Sequence, residues 1–182
     1  CFQGAYAIGY IGFGRLIDRI GARLGFSAAI VIWTIAHVAH ALVRSLTGFA
    51  VVRIGLGLGE SGNFPAGVKA VAEWFPKSER ALATSIFNAG SGIGAIITPL
   101  IVPALVAWFD WRTAFLVTGS FSLIWLVFWL RSYRSPREHK SLSPGELAFI
   151  ESDPPDAESH RNIPWLRLLR VKETWAFSIA KF

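Results

Sequence analysis

The 182-residue chain is 53% hydrophobic and 16% charged, well below the roughly 25% of charged residues usual in a soluble domain, and its mean hydropathy is +0.45, which argues against a water-soluble fold. Lys and Arg number 18 against 12 Asp and Glu, a formal charge of +6, but the basic residues sit in short segments between apolar runs. An anionic lipid surface accounts for them, and nucleic-acid binding is not expected. The one cysteine, Cys1, leaves no internal disulfide and no zinc set.

A helix that crosses a bilayer needs about 20 largely apolar residues, because its backbone must satisfy its own hydrogen bonds in hydrocarbon. Five segments meet or approach this requirement. Residues 2–17 read as the end of a truncated span, and residues 24–43, 46–68, 81–107 and 112–130 read as complete spans. Residues 25–43 and 81–107 contain no Asp, Glu, Lys or Arg. Short connections make neighbouring spans antiparallel. The connection after the first span carries Arg15, Arg19 and Arg23 against Asp18, and a later one carries Lys69, Lys77 and Arg80 against Glu73 and Glu79. The alternate connections offer only Arg44, and Asp110 with Arg112. By the positive-inside rule the basic connections face the cytoplasm.

Residues 132–172 turn polar and Pro-punctuated, as expected of a cytoplasmic linker. Ser143-Pro144-Gly145-Glu146 matches a capping box with Pro at the first helical position, which predicts a short helix through Ala148 and Ile150. The basic, aromatic run from Pro164 to Arg170 suits an interfacial helix leading into a further span. The chain begins at Cys1, contains no Met and stops at Lys181-Phe182 as a new apolar run starts, so a fragment of a longer protein is expected.

Several groups stand out against this apolar background. Gly14-Arg15-Leu16-Ile17-Asp18-Arg19-Ile20-Gly21-Ala22-Arg23 combines glycines, which permit a tight turn and close helix approach, with an acid that can pair with Arg19, Arg23 or a helix N-terminus. Arg53 and Glu60 lie inside one apolar span. Charges there cost a few kcal/mol each on insertion scales, about 2.5–3.5, so their default reading is functional. Their spacing is about two helical turns, on one face and about 10 Å apart along the axis. Gly55, Gly59 and Gly62, with Ser61, give a small surface for close helix approach, and Pro65 loosens the helix near Asn63. The G-x-G-x-x-G at Gly57, Gly59 and Gly62 is not a dinucleotide loop, because no strand precedes it and it lies within one apolar run. On the next span Gly90 and Gly94 suit helix packing, while Asn88 is an amide in lipid that needs a partner. His37 and His40 share a face without a nearby carboxylate or Cys, and a metal role is not expected. Nothing in the sequence arranges a catalytic set, so neither an enzyme nor a cofactor site is expected.

Taken together, the motif at Gly14 to Arg23, the stretch from Arg53 to Pro65, Lys69-Ala70-Val71-Ala72-Glu73-Trp74-Phe75-Pro76, Glu79-Arg80-Ala81, Phe87-Asn88-Ala89-Gly90-Ser91 and Trp111-Arg112 resemble the major facilitator superfamily, in particular its anion:cation symporter branch and bacterial hexuronate transporters. The resemblance implies an all-α integral membrane fold, a helical bundle of which this chain covers roughly helices two to six. Residues 1–131 would then belong to the N-terminal transmembrane half, 132–172 to the central cytoplasmic linker and 173–182 to the start of the C-terminal half. It implies a monomeric multi-pass carrier in a bacterial inner membrane that moves a small organic anion with protons, or with Na+ in their place, by alternating access. Within it, Arg53 would bind a substrate carboxylate, Tyr6 and Asn88 would bond substrate hydroxyls, and Glu60 would couple a proton. Gly14, Asp18, Arg19, Gly21 and Arg23 would gate the conformational change. Tyr10 stands where many relatives carry Gln. The substrate alternatives are galactonate, glucarate, sialate or a sugar phosphate, and the functional alternative is a receptor with the same fold but no transport.

Overall fold

The structure, a computed structural model, describes residues 1–153, 170–172 and 175–176. Cys1–Ser152 form one compact unit and Asp153–Phe182 a second. The interfacial helix expected at 164–170 and the span start expected at 173–182 lie almost wholly outside the described residues. Every regular element of the first unit is helical: α1 (Phe2–Ala39), α2 (Leu46–Glu60), α3 (Asn63–Trp74), α4 (Lys77–Trp108), α5 (Trp111–Ser132), a 3-10 turn (Pro136–Glu138) and α6 (Pro144–Ile150). By length and composition α1, α4 and α5 can cross a membrane.

α1 is two limbs rather than one rod. Gly21 interrupts it with φ 82° and ψ 164°, a region essentially closed to residues with a Cβ. The limbs meet beside this break, where Ile17, 1% exposed, packs on Gly25 so closely that a Cβ there would come within 2.5 Å of it. The turn foreseen at the Gly14–Arg23 motif is therefore made by Gly21. Gly14 has nothing of this chain within 4 Å of where its Cβ would stand.

α2 and α3 are 15 and 12 residues long, each too short to cross a bilayer alone and long enough end to end. The expected single span is thus broken at Ser61-Gly62. Pro65 explains the position: it cannot donate to the carbonyl four residues back, at Ser61, and its ring crowds that carbonyl. The chain bridges the gap with tight bonds, Ser61 N to Gly57 O at 3.2 Å and Gly62 N to Gly59 O at 3.3 Å, before Ala66 N to Gly62 O at 3.1 Å resumes the helix. Ser61, fully buried, turns its hydroxyl back to donate to Leu58 O at 2.6 Å.

Glycines seat this broken helix against both limbs of α1. On the second limb, Gly55, Gly59 and Gly62 face Ala36, Trp33 and Ala29 in antiparallel register; on the first, Gly57 meets Phe2 and Ala5, while Gly9 faces Ser61. Below the seam lies the apolar core of Phe13, Ile17, Phe26, Ala29, Ile30 and Ala66, covered by Leu126 and Trp129 of α5. Trp129 stands edge-on to Phe26 at 4.8 Å and donates to Arg23 O at 3.1 Å.

The helix ends follow local rules. Ser45 caps α2 by accepting from Gly48 N, and Asp110 caps α5 by accepting from Thr113 N at 2.6 Å. That amide bond, together with its neighbours, holds the Asp110 carboxyl below its ordinary value. α6 carries the expected capping box, with Ser143 and Glu146 bonded reciprocally. α4 buries none of its residues in this chain, and it touches α3 where Phe87 lies over Gly67. Gly90 and Gly94, expected to pack, meet nothing within 4 Å among the described residues.

The two seam positions Gly55 and Gly59 differ in what an added methyl would meet. At Gly59 it would run into the Trp33 backbone, whereas at Gly55 it would stand 3.3 Å from the Ala36 methyl. Gly59→Ala in the full-length protein is expected to lose about 1–3 kcal/mol to overpacking. Gly55→Ala should lie within about 1 kcal/mol of wild type, since the helix gains from losing a glycine. Thermal unfolding in detergent checks the order, and equal unfolding temperatures would remove the seam from the packing account.

Candidate functional site

Glu60 closes α2, one residue before the break, and is half-buried. This is the negative end of a helix, a poor place for a carboxylate, and no Lys or Arg side chain pairs with it among the described residues. Tyr6 on the first limb of α1 stands within electrostatic reach of it. Glu60 thus lies between a glycine-packed helix and the break that follows it, next to a phenol and without a cationic partner among the described residues.

An aromatic row runs past this point. Phe2 and Tyr6 lie 6.0 Å apart, Tyr6 and Tyr10 6.3 Å, Tyr10 and Phe64 6.4 Å, and Phe64 and Phe87 6.2 Å, measured between ring centres. The row links the first limb of α1 to α3 and α4 and ends beside Asn88. Sequence reasoning did not foresee that Tyr10, Phe64 and Phe87 join this row; the available signal was the four-residue spacing of Tyr6 and Tyr10 on one helix face.

The expected site residues are only partly gathered. Arg53 is exposed on α2, two turns before Glu60, and borders a cavity of about 350 Å³ with Phe2, Phe49 and Ala50. It lies within electrostatic reach of His37. Asn88 is exposed on α4. Tyr6 and Glu60 lie within electrostatic reach of each other, while Arg53 and Asn88 are both exposed.

In the basic loop Asp18, for which Arg19, Arg23 or a helix N-terminus were the expected partners, faces a residue not among them, Lys69 Nζ of α3, at 3.6 Å. Arg23 lies beyond the Gly21 break and is drawn instead to the end of α5, where it donates to Leu130 O at 2.6 Å; a cation there complements the last carbonyls of that helix. Arg19 is exposed. Nearby, Tyr133 donates to Glu73 Oε2 at 2.7 Å, and burial first, then the Glu73 bond and charge, push its phenol well above the ordinary value. At the opposite end of the bundle, His40 is 1% exposed and stacks on Phe115 at 5.0 Å, with Nδ1 bonded to Ala36 O at 2.7 Å. His37 Nε2 bonds Thr118 Oγ1 at 2.8 Å. Both histidines are bonded within the helical bundle.

The family description Major Facilitator Superfamily matches residues 1–182. The chain is 33% identical to the "Galacturonate transporter" of Dickeya chrysanthemi, covering 100% of this chain and 53% of that protein. It is likewise 33% identical to the "Hexuronate transporter" of Escherichia coli K12, covering 100% and 43%, and 32% identical to that organism's "Probable L-galactonate transporter", covering 98% and 40%. The chain thus spans about half the length of the curated relatives it matches. With its long apolar helices it is part of a multi-pass inner-membrane protein.

The Asp18–Lys69 contact can be isolated by a double-mutant cycle. Asp18→Asn and Lys69→Gln should each cost no more than about 1 kcal/mol, with a coupling of about 0.2–1 kcal/mol, because Asp18 is largely exposed. Asp18→Asn with Arg19→Gln should show none. Thermal unfolding at low and at molar salt provides the check, since screening should erase the coupling.

Proposed function

The chain belongs to the Major Facilitator Superfamily, and on that premise we propose that the full-length protein is a secondary active carrier that imports an organic anion together with protons, the anion being a hexuronate such as glucuronate or galacturonate. Residues 1–131 contribute to its N-terminal half, 132–172 to the cytoplasmic linker and 173–182 to the start of its second half. The observation that carries the reading is Glu60: a half-buried carboxylate without a cationic partner, beside Tyr6, at a helix break within a membrane span. Such a group has a use in a proton-coupled carrier and none in a passive scaffold.

The chemistry assigns the roles. Moving one negative charge inward against an inside-negative potential of 100 mV costs about 2.3 kcal/mol, which an accompanying proton cancels. Glu60 carries that proton. Arg53, permanently charged and able to offer two parallel donors, holds the substrate carboxylate. Tyr6 and Asn88 bond hydroxyls. Alternating access closes these groups around the substrate as two halves rock, with the Ser61-Gly62 break as a point of bending, and the Asp18–Lys69 pair holds α1 to α3 in one of the two states. A second reading keeps the same carrier but gives it an aldonate or aldarate, which the similarity to a probable L-galactonate transporter favours.

In proteoliposomes carrying the full-length protein, Glu60→Gln is expected to abolish accumulation against a gradient while sparing exchange of internal for external substrate. Accumulation at the wild-type level would remove Glu60 from coupling. The exchange arm also separates a carrier from a channel or a receptor, since only a carrier lets internal substrate accelerate uptake of labelled external substrate. Arg53→Lys should weaken substrate binding roughly tenfold or more, about 1.4 kcal/mol; wild-type affinity by calorimetry would make Arg53 structural.

A further inference from the structure

Four cations gather at the basic end of the bundle with little to neutralise them. Arg23, at the start of the second limb of α1, Arg131 at the end of α5, and Arg134 and Lys140 beyond it line one cavity of about 720 Å³. Among the lining residues only Glu138 is acidic, and His139 completes the titratable set. The other nearby acids are already engaged: Glu73 accepts from Tyr133, and Glu151 pairs with Arg137 at 2.7 Å.

The cavity is built rather than incidental. Arg23 is held by its bond to Leu130 O and by the Trp129 indole on its own carbonyl. Trp74 braces two of the lining residues from behind, donating to Arg134 O at 3.1 Å and standing edge-on to His139 at 5.3 Å. Four buried side-chain polar atoms are without a partner among the described residues, and two of them, Arg23 Nε and His139 Nδ1, belong to residues that line this cavity; the others, Thr34 Oγ1 and His40 Nε2, lie elsewhere on α1 and just past its end. A buried donor left unpaired costs about 1–3 kcal/mol, so a missing acceptor is implied. Gathered like charges require the same thing, an anion.

We propose that this cavity binds a phosphate ester. Guanidinium groups match phosphate oxygens with paired donors, and the hydroxyls of Ser132 and Ser141 on its lining add two more. Trp74, Trp129 and Tyr133 lie at the same level, Trp129 and Tyr133 stacked at 4.0 Å, as an interfacial aromatic belt would. The cavity therefore sits at the depth of phospholipid headgroups on the cytoplasmic side, where basic pockets between helices take anionic headgroups. A phospholipid headgroup and a soluble phosphate share the chemistry that fits, and they can be told apart by experiment. The inference is independent of which substrate is carried, and its readout needs no transport.

The test is thermal unfolding of the full-length protein, purified and stripped of lipid in neutral detergent, with phosphatidylglycerol, phosphatidylcholine, inorganic phosphate or sodium chloride at matched ionic strength. Phosphatidylglycerol is expected to raise the unfolding temperature by about 3 °C or more over phosphatidylcholine. The triple variant Arg131→Gln, Arg134→Gln, Lys140→Gln should abolish the shift, while Arg137→Gln, whose side chain is outside the cavity, should retain it. A shift of the same size with inorganic phosphate, also lost in the triple variant, supports the site with a soluble ligand instead. Equal shifts with phosphatidylcholine or chloride, or a phosphatidylglycerol shift that survives the triple variant, overturn the proposal. Because all three substituted side chains are exposed, the variant is expected to fold. Should it not, Lys140→Gln alone, read by phosphatidylglycerol retained in native mass spectrometry, decides: unchanged retention overturns the site and reduced retention supports it.

Discussion

Helices in a bilayer gain nothing from leaving water, so their association depends on how closely backbones can approach. In this chain that approach is made along one seam, where Gly55, Gly57, Gly59 and Gly62 seat the broken α2–α3 passage between the two limbs of α1. The rest of the unit is arranged by it. The seam fixes which face of α2 is covered, holds Ser61 in a site too tight for any larger residue, and brings Glu60 alongside Tyr6. The Gly21 break makes the seam possible by letting α1 double back and present two surfaces to one helix. Pro65 then sets where the passage gives way, next to the single acid that lies well inside it.

Charge is distributed along the same axis. One end holds two bonded histidines packed on Phe115, the middle holds Glu60 without a counter-ion among the described residues, and the opposite end holds a dense set of cations. Those cations divide into three tasks. Lys69 ties α3 to Asp18 of α1, Arg23 caps α5, and Arg131, Arg134 and Lys140 remain directed at an open cavity. A loop that reads in one line as a positive-inside signal is thus three separate contacts in space.

Much of this was legible in the sequence because it is encoded locally. The spans follow from runs of apolar residues, the short helix after Ser143 from a capping box, and the close-packed face of α2 from the spacing of Gly55, Gly59 and Gly62. What was not legible depends on partners brought in from elsewhere. For Asp18 the sequence left Arg19, Arg23 or a helix N-terminus open, but a turn at Gly21 carries Arg23 to α5 and α3 carries Lys69 in. Pro65 was expected to loosen the helix near Asn63, and it does so through the carbonyl four residues back, which puts the break at Ser61-Gly62, directly before Asn63. The row from Tyr6 through Phe64 to Phe87 crosses three helices, and nothing in any one segment announces it. Gly90 and Gly94 carry a packing pattern with no counterpart among the described residues.

The central claim is that an acid left uncompensated by this packing couples an anion to protons. A pH electrode outside proteoliposomes that contain the full-length protein tests it most directly, with galacturonate added to a lightly buffered, de-energised suspension. The account predicts that the external medium turns alkaline as galacturonate enters, at a rate that follows the uptake of labelled substrate and vanishes when the bilayer is made permeable to protons. Galacturonate uptake with no movement of protons would contradict it.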